Sequence, residues 1–183
     1  GNVGLVCRTT LPDLKKTTYQ RFLDICPDPL ILENNKSEMF LKLKTNGRPS
    51  TLYFGPLDKL GRYKSLELGT FLIDEADETT EEHWNILCGR LRLKGPRLCG
   101  MLATNPPNKH HWIVKKFIEK PPPSYEVFRS KTTDNKKNLP PGYIENLIQN
   151  MPPDWVKRYV DGEICSISEG DPVYPDFRSD LHV

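Results

Sequence analysis

Two adjacent carboxylates, Asp74 and Glu75, follow the apolar run Phe71-Leu72-Ile73 in "TFLIDEADETTEE". A strand can bury those three side chains, but a carboxylate at its end has to face water, a cation or a hydrogen-bond donor. At the C-terminal end of a parallel strand such a pair suits nucleotide hydrolysis. The first acid holds Mg²⁺ through water, and the second orients and polarises the attacking water. Acids also complement the N-terminus of a following helix, and that is the reading adopted for Asp77, Glu78, Glu81 and Glu82. An acid pair behind an apolar run is by itself a weak signal. A second strand end adds to it: "LCGMLATNPP" reads as a buried strand closing on Thr104 and Asn105. The spacing of roughly 30 residues between the two strand ends suits one βαβ step. If the strands are neighbours, a hydroxyl and an amide lie beside the acids, where they can sense a γ-phosphate; Asn-Pro is otherwise a common turn starter.

The elements that must position these groups alternate. Val3 to Cys7 predicts a short buried strand, and Pro12 to Cys26 a helix with Leu14, Thr18, Phe22 and Cys26 on one face. "EMFLKLK" and "TLYF", separated by "TNGRPS", predict a half-buried β-hairpin. "GPLDKLGRYKSLELG" reads as surface loop with one short turn. After the acid pair, Trp84, Leu87, Cys88 and Leu91 mark a helix that Thr79 and Glu82 can cap. A third helix carries Trp112, Lys115, Lys116 and Phe117, and "YEVFRS" predicts a further strand. From Asn138 onward, two short helices are fenced by Pro140, Pro141, Pro152 and Pro153. Strands alternating with helices imply an α/β architecture, a mostly parallel sheet covered on both faces with ligands at its C-terminal strand ends.

The 183 residues fit one ordinary domain with a real core. With 37% hydrophobic and 27% charged residues the chain reads as globular rather than disordered. No stretch reaches the roughly 20 apolar residues of a membrane span, and the N-terminus lacks the marks of a signal peptide. The five cysteines are scattered singly, without zinc-site spacing, as reduced structural residues are. A net charge of +2 does not announce nucleic-acid binding, although "KHHWIVKKF" and "LKKTTYQR" offer Lys and aromatic residues that can touch DNA phosphates. The bland alternative is the solvated face of a helix, and His110 and His111 read as loop residues without a third metal ligand.

Taken in order, these segments resemble the large terminase subunit of tailed bacteriophages, the ATP-driven motor that packages DNA into procapsids. The matching pieces are "GLVCRTTLPDLKKTTYQRFLD" after the first strand, "FLIDEADE" as the Walker B motif, "ATNP" as the coupling motif and "NLPPGYIENLIQNMPPDWVKRYVDGE" as the segment closing the motor domain. The resemblance implies a RecA-like P-loop NTPase sheet, incomplete at its N-terminus, with an antiparallel hairpin. It also implies a partial motor domain over 1–165, closed by helices over 138–165, and a linker over 166–183 leading toward a nuclease domain. Asp74 would be the Mg²⁺-associated aspartate and Glu75 the catalytic base. Thr104 and Asn105 would couple hydrolysis to movement, and Arg8 would face the nucleotide unless it is only a surface arginine at a helix start. Arg62 matches an arginine that acts in trans on a neighbouring subunit's nucleotide, or else is an ordinary solvated arginine. ATP and Mg²⁺ are the implied cofactors. The implied partners are double-stranded DNA, the portal protein, the small terminase subunit and further copies in a ring. The place is the host cytoplasm and, transiently, the procapsid portal.

No GxxxxGK[ST] phosphate loop occurs in the chain. The family's Walker A motif would precede Gly1. In the resembled fold, the strand feeding it lies inside the sheet beside the coupling strand, so that without it two strand edges lose partners. Two other readings stand beside the motor: a truncated relic that docks to portal or DNA, and a fragment of a helicase-type ATPase.

Overall fold

The computed structural model describes residues 1–165, which fall into two compact units, Gly1–Thr104 and a second beginning at Asn105. The expected linker over 166–183 lies outside the described residues.

The first unit is built on a six-stranded sheet. Its strands are β1 (Val3–Arg8), β2 (Ile31–Asn35), β3 (Phe40–Leu43), β4 (Ser50–Pro56), β5 (Thr70–Ile73) and β6 (Cys99–Leu102), in the order β2-β3-β4-β1-β5-β6. β1 pairs in parallel with β4 and β5, and β5 in parallel with β6, while β2, β3 and β4 run antiparallel. This is the mostly parallel sheet with an added hairpin that the alternation predicts. β1 lies between two partners, and its residues from Gly4 to Cys7 are all buried, so it reads as a continuous apolar run rather than an alternating one.

Side chains two apart share a sheet face. On one face Val6, Leu41 and Phe54 pack with Leu14 and Tyr19, and Leu72 and Phe22 lie against that cluster. The covering helical segment runs over 11–25 as α1 (Leu11–Leu14), a wide π turn (Lys15–Tyr19) and α2 (Gln20–Ile25). Thr10 caps it by accepting from the Asp13 N–H at 3.3 Å. The wide turn changes which residues face the sheet. Leu14 and Tyr19, five apart, are buried, whereas Thr18, expected on the core face, is only half-buried. On the other face Phe71, the register partner of Leu5, meets Trp84 of α3 (Glu81–Cys88), with ring centroids 5.1 Å apart. Gly100 makes room for that pair, since a Cβ there would lie 2.5 Å from the Phe71 ring.

Several expectations need correction. The cap of α3 sits one residue later than predicted: Thr80 is the N-cap and its N–H donates to Nδ1 of His83, which takes the place expected of a glutamate. β2 was not expected, because "ILENN" is half polar; it forms as an edge strand beside β3. β6 was expected to be buried, yet Met101 is 46% exposed, because no strand among the described residues pairs with its outer edge. The sheet therefore has no internal gap: β5 and β6 are direct neighbours, and the open parallel edge is that of β6 alone.

In the second unit, α4 (Tyr143–Asn150) and α5 (Pro153–Tyr159) are the two proline-fenced helices, with Pro153 at the first helical position of α5. Thr132 ties to α5 by donating to the Tyr159 carbonyl at 2.6 Å. The third helix expected from the sequence forms as a wide π turn over Val114–Glu119. "YEVFRS" does not form a strand: Val127 is 46% and Phe128 89% exposed, without the pairing that would bury them.

Candidate active site

The parallel strands β1, β5 and β6 end on the same side of the first unit, and their last residues lead into Arg8, Asp74 and Thr104. Asp74 is fixed from three directions. Its N–H donates to the Cys7 carbonyl at 2.9 Å, which continues the β1–β5 ladder. Thr18 donates its hydroxyl to Asp74 Oδ2 at 2.5 Å, and the Glu75 N–H donates to Asp74 Oδ1 at 3.1 Å. Thr18 reaches Asp74 from the π turn, a device frequent at functional sites.

Glu75 sits in the left-handed region at φ 48° and ψ 53°. For a residue with a Cβ this costs about 1–2 kcal/mol, and such strain persists only where the surroundings impose it. The surroundings here are the Ala76 N–H, which donates to the Ala103 carbonyl at 3.0 Å, and a 3₁₀ turn over Ala76–Glu78. The chain thus turns sharply at Glu75, which leaves it half-buried. Burial first, then the negative charges of Asp74 and Asp77, push its carboxyl above the usual range, with Arg8 pulling the other way.

Thr104 and Asp77 face each other across the strand ends. The Thr104 hydroxyl donates to Asp77 Oδ1 at 2.9 Å, and the Asp77 N–H donates to Thr104 Oγ1 at 3.1 Å. β5 and β6 are neighbours as assumed, but the acid that reaches Thr104 is Asp77, read from sequence as a helix-start charge. Asn105 opens the second unit. Arg8 is not an exposed helix-start arginine: its side chain is 15% exposed, donates to the Thr17 hydroxyl at 2.7 Å and lies 3.6 Å from Glu78. Its Nε is buried without a hydrogen-bond partner. Arg62 is exposed on the 3₁₀ turn Leu60–Tyr63.

An open groove of about 560 Å³ runs along the sheet to Asp74, lined by Val6, Leu72, Phe22, Thr18 and Arg21 among others. Thr18 and Asp77 are the residues beside the acids that sequence reasoning did not select. Paired threonines inside a helix were the only signal for Thr18. Among the described residues no group of three His, Cys, Asp or Glu side chains gathers around a possible metal position. No helix among them is long and apolar enough to cross a membrane.

A family model described as the phage terminase large subunit matches residues 3–163. No curated protein matches. Among solved structures, one crystal form of the large terminase from a thermophilic bacteriophage is 17% identical, with a TM-score of 0.76 over 98% of this chain and 44% of that one. The same terminase in complex with ADP is 16% identical, with a TM-score of 0.73 over 90% of this chain and 40% of that one. The large terminase ATPase domain of a Thermus phage is 13% identical, with a TM-score of 0.65 over 90% of this chain and 77% of that domain. At these identities the structures establish a shared fold, and the chain spans less than half the length of the thermophilic phage's large terminase.

Proposed function

The chain belongs to the phage terminase large subunit family, and on that premise we propose that its first unit supplies the hydrolytic acids of a DNA-packaging ATPase. The observation that carries this reading is the turn at Asp74-Glu75: one carboxylate locked by Thr18 and by the next amide, the other held in a strained conformation at the end of a parallel strand. Strain of this kind, imposed on an acid whose pKa is raised by burial and by the neighbouring acids, suits a general base.

In this account Glu75 orients the attacking water and takes its proton. Asp74 serves the cation: each of its oxygens already accepts one donor, leaving a lone pair on each for a water of the metal's shell. That donor set fits Mg²⁺, which keeps several waters and uses few protein carboxylates. Held there through water by Asp74, Mg²⁺ would supply positive charge to offset the negative charge of the phosphates during hydrolysis. Thr104 and Asp77 join the two strand ends, so a shift sensed by Thr104 or Asn105 reaches the turn holding Glu75. Arg62 acts on the nucleotide of a neighbouring subunit in a ring. Since the chain carries no GxxxxGK[ST], the amide cradle for the phosphates has to come from outside these residues. Double-stranded DNA, the portal and the small subunit are the proposed partners, in the host cytoplasm.

The test is Glu75→Gln in the packaging-competent large subunit, with ATP binding and turnover measured separately. Retained binding with lost turnover supports the reading; unchanged turnover removes Glu75 as the base.

A further inference from the structure

Arg62 sits on a turn whose own backbone holds it weakly, with N–H···O distances of 3.2 Å from Arg62 to the Lys59 carbonyl and 3.3 Å from Lys64 to the Gly61 carbonyl. Two side chains outside the turn's backbone ladder do more. Tyr63, only 5% exposed, donates its hydroxyl to the Pro56 carbonyl at 2.6 Å, at the end of β4. The socket for that hydroxyl exists because residue 55 is glycine: a Cβ there would lie 2.2 Å from the phenol oxygen. Pro56 is the register partner of Arg8, and the Leu57 N–H donates to the Arg8 carbonyl at 2.9 Å, so the socket belongs to the strand-end row that presents Asp74.

The second anchor is Arg90, just beyond α3, whose guanidinium donates to the Lys64 carbonyl. The backbone around Arg90 is itself stitched to the chain entering β5: the Leu68 N–H donates to the Arg90 carbonyl at 2.8 Å and the Arg92 N–H to the Leu68 carbonyl at 3.1 Å. Arg92 adds an ion pair to Glu67 at 3.5 Å.

We propose that Tyr63 and Arg90 are positioning residues that clamp the turn from its two sides and set the direction in which Arg62 reaches a neighbouring subunit's nucleotide. The inference rests on the trans role of Arg62 proposed above. An arginine on a loose turn spreads its guanidinium over many positions, and a displacement of about 1 Å in a reacting group can cost 100-fold. The phenol fits the part: burial first, and then Cys7, raise its pKa, while the Arg62 guanidinium beside it pulls the other way. Tyr63 therefore stays protonated and keeps donating to Pro56. Arg90 follows α3, and α3 follows the Asp74-Glu75 turn, so the clamp ties the donor of the arginine to the acids of its own subunit.

The experiment is a double-mutant cycle on the ATPase of the large subunit assembled with procapsid and DNA, with single-turnover rates where steady-state turnover is too slow. Arg62→Ala is expected to lower kcat by about 1,000-fold, as loss of an arginine finger does. Tyr63→Phe keeps the ring and its packing and should lower kcat by about 3–10-fold with KM unchanged; Arg90→Ala should behave alike, with Arg90→Lys recovering part of the loss. In the Arg62→Ala background Tyr63→Phe and Arg90→Ala should have no further effect, which a merely structural role would not reproduce. Equal losses in both backgrounds overturn the clamp, as does an unchanged kcat in both Tyr63→Phe and Arg90→Ala. If Arg62→Ala alone leaves turnover intact, the trans role fails and the clamp falls with it. If Arg62→Ala is inactive while both clamp variants are normal, only the clamp fails.

Discussion

The turn at Asp74-Glu75 and the turn at Arg62 are held by opposite means. The first is rigid through its own backbone, with a left-handed Glu75, a 3₁₀ turn and amides tied to both neighbouring strands. The second carries no left-handed residue and owes its place to two side chains: its own Tyr63, which reaches out to the Pro56 carbonyl, and Arg90, which reaches in to the Lys64 carbonyl. The contrast matches the proposed tasks. Acids that address water and a cation within one subunit need fixed atoms, and backbone strain supplies them. A side chain that has to cross to another subunit needs a fixed root.

The largest effect expected from breaking this contrast is at Glu75. Glu75→Gln should reduce turnover by a factor of roughly 100–10,000, the usual worth of a positioned base, with nucleotide binding retained in a filter or fluorescence assay. Next is the socket of the second turn: Gly55→Ala drives a methyl into the Tyr63 hydroxyl and should cost about 1–3 kcal/mol of stability by overpacking, read as a lower urea midpoint. A smaller effect is expected at Thr18. Thr18→Val keeps the shape but removes the donor to Asp74, and about a tenfold loss in kcat/KM, roughly 1.4 kcal/mol, should appear as a higher Mg²⁺ requirement.

The smallest effect is a stability change with a defined sign. The Glu75 carboxyl has a raised pKa in the folded protein. Its contribution to stability is then fully present below its unfolded pKa, near 4.3, and lost as pH rises through the folded value. Glu75→Gln, which stays neutral, should melt together with the parent near pH 4 and a few degrees above it at pH 7. Identical melting temperatures across that range would mean that the turn is not strained electrostatically.

Much of the first unit was legible because its strands and helices obey simple periods. The apolar runs of β1 and β5, the alternation of the β3–β4 hairpin and the Trp84–Leu87 stripe all appear where the sequence places them. The failures have physical causes. "ILENN" carries too few apolar residues to announce an edge strand, and an apolar run such as "LCGML" does not say whether a partner covers its outer side. "YEVFRS" has strand propensity without pairing, and propensity in strands is mostly a statement about neighbours. At the site, Asp74 and Glu75 were visible in the run of acids. Thr18 was not, because counting by 3.6 residues through a π turn assigns it to the core. Asp77 was hidden by its neighbours: among six acids within nine residues, charge alone does not distinguish the one that meets Thr104.

The wide turn over Lys15–Tyr19 makes the site sensitive to chain length as well as to the identity of Thr18. An α-helix advances 100° per residue, so the extra residue in the turn is what lets Tyr19 enter the core while Thr18 faces Asp74. Removing a single residue from the turn would restore the phase of a regular helix. Such a deletion would force a choice between seating α2 against the sheet and keeping the threonine on the aspartate. A length change of one here therefore has to be answered elsewhere in the helix or the sheet it covers.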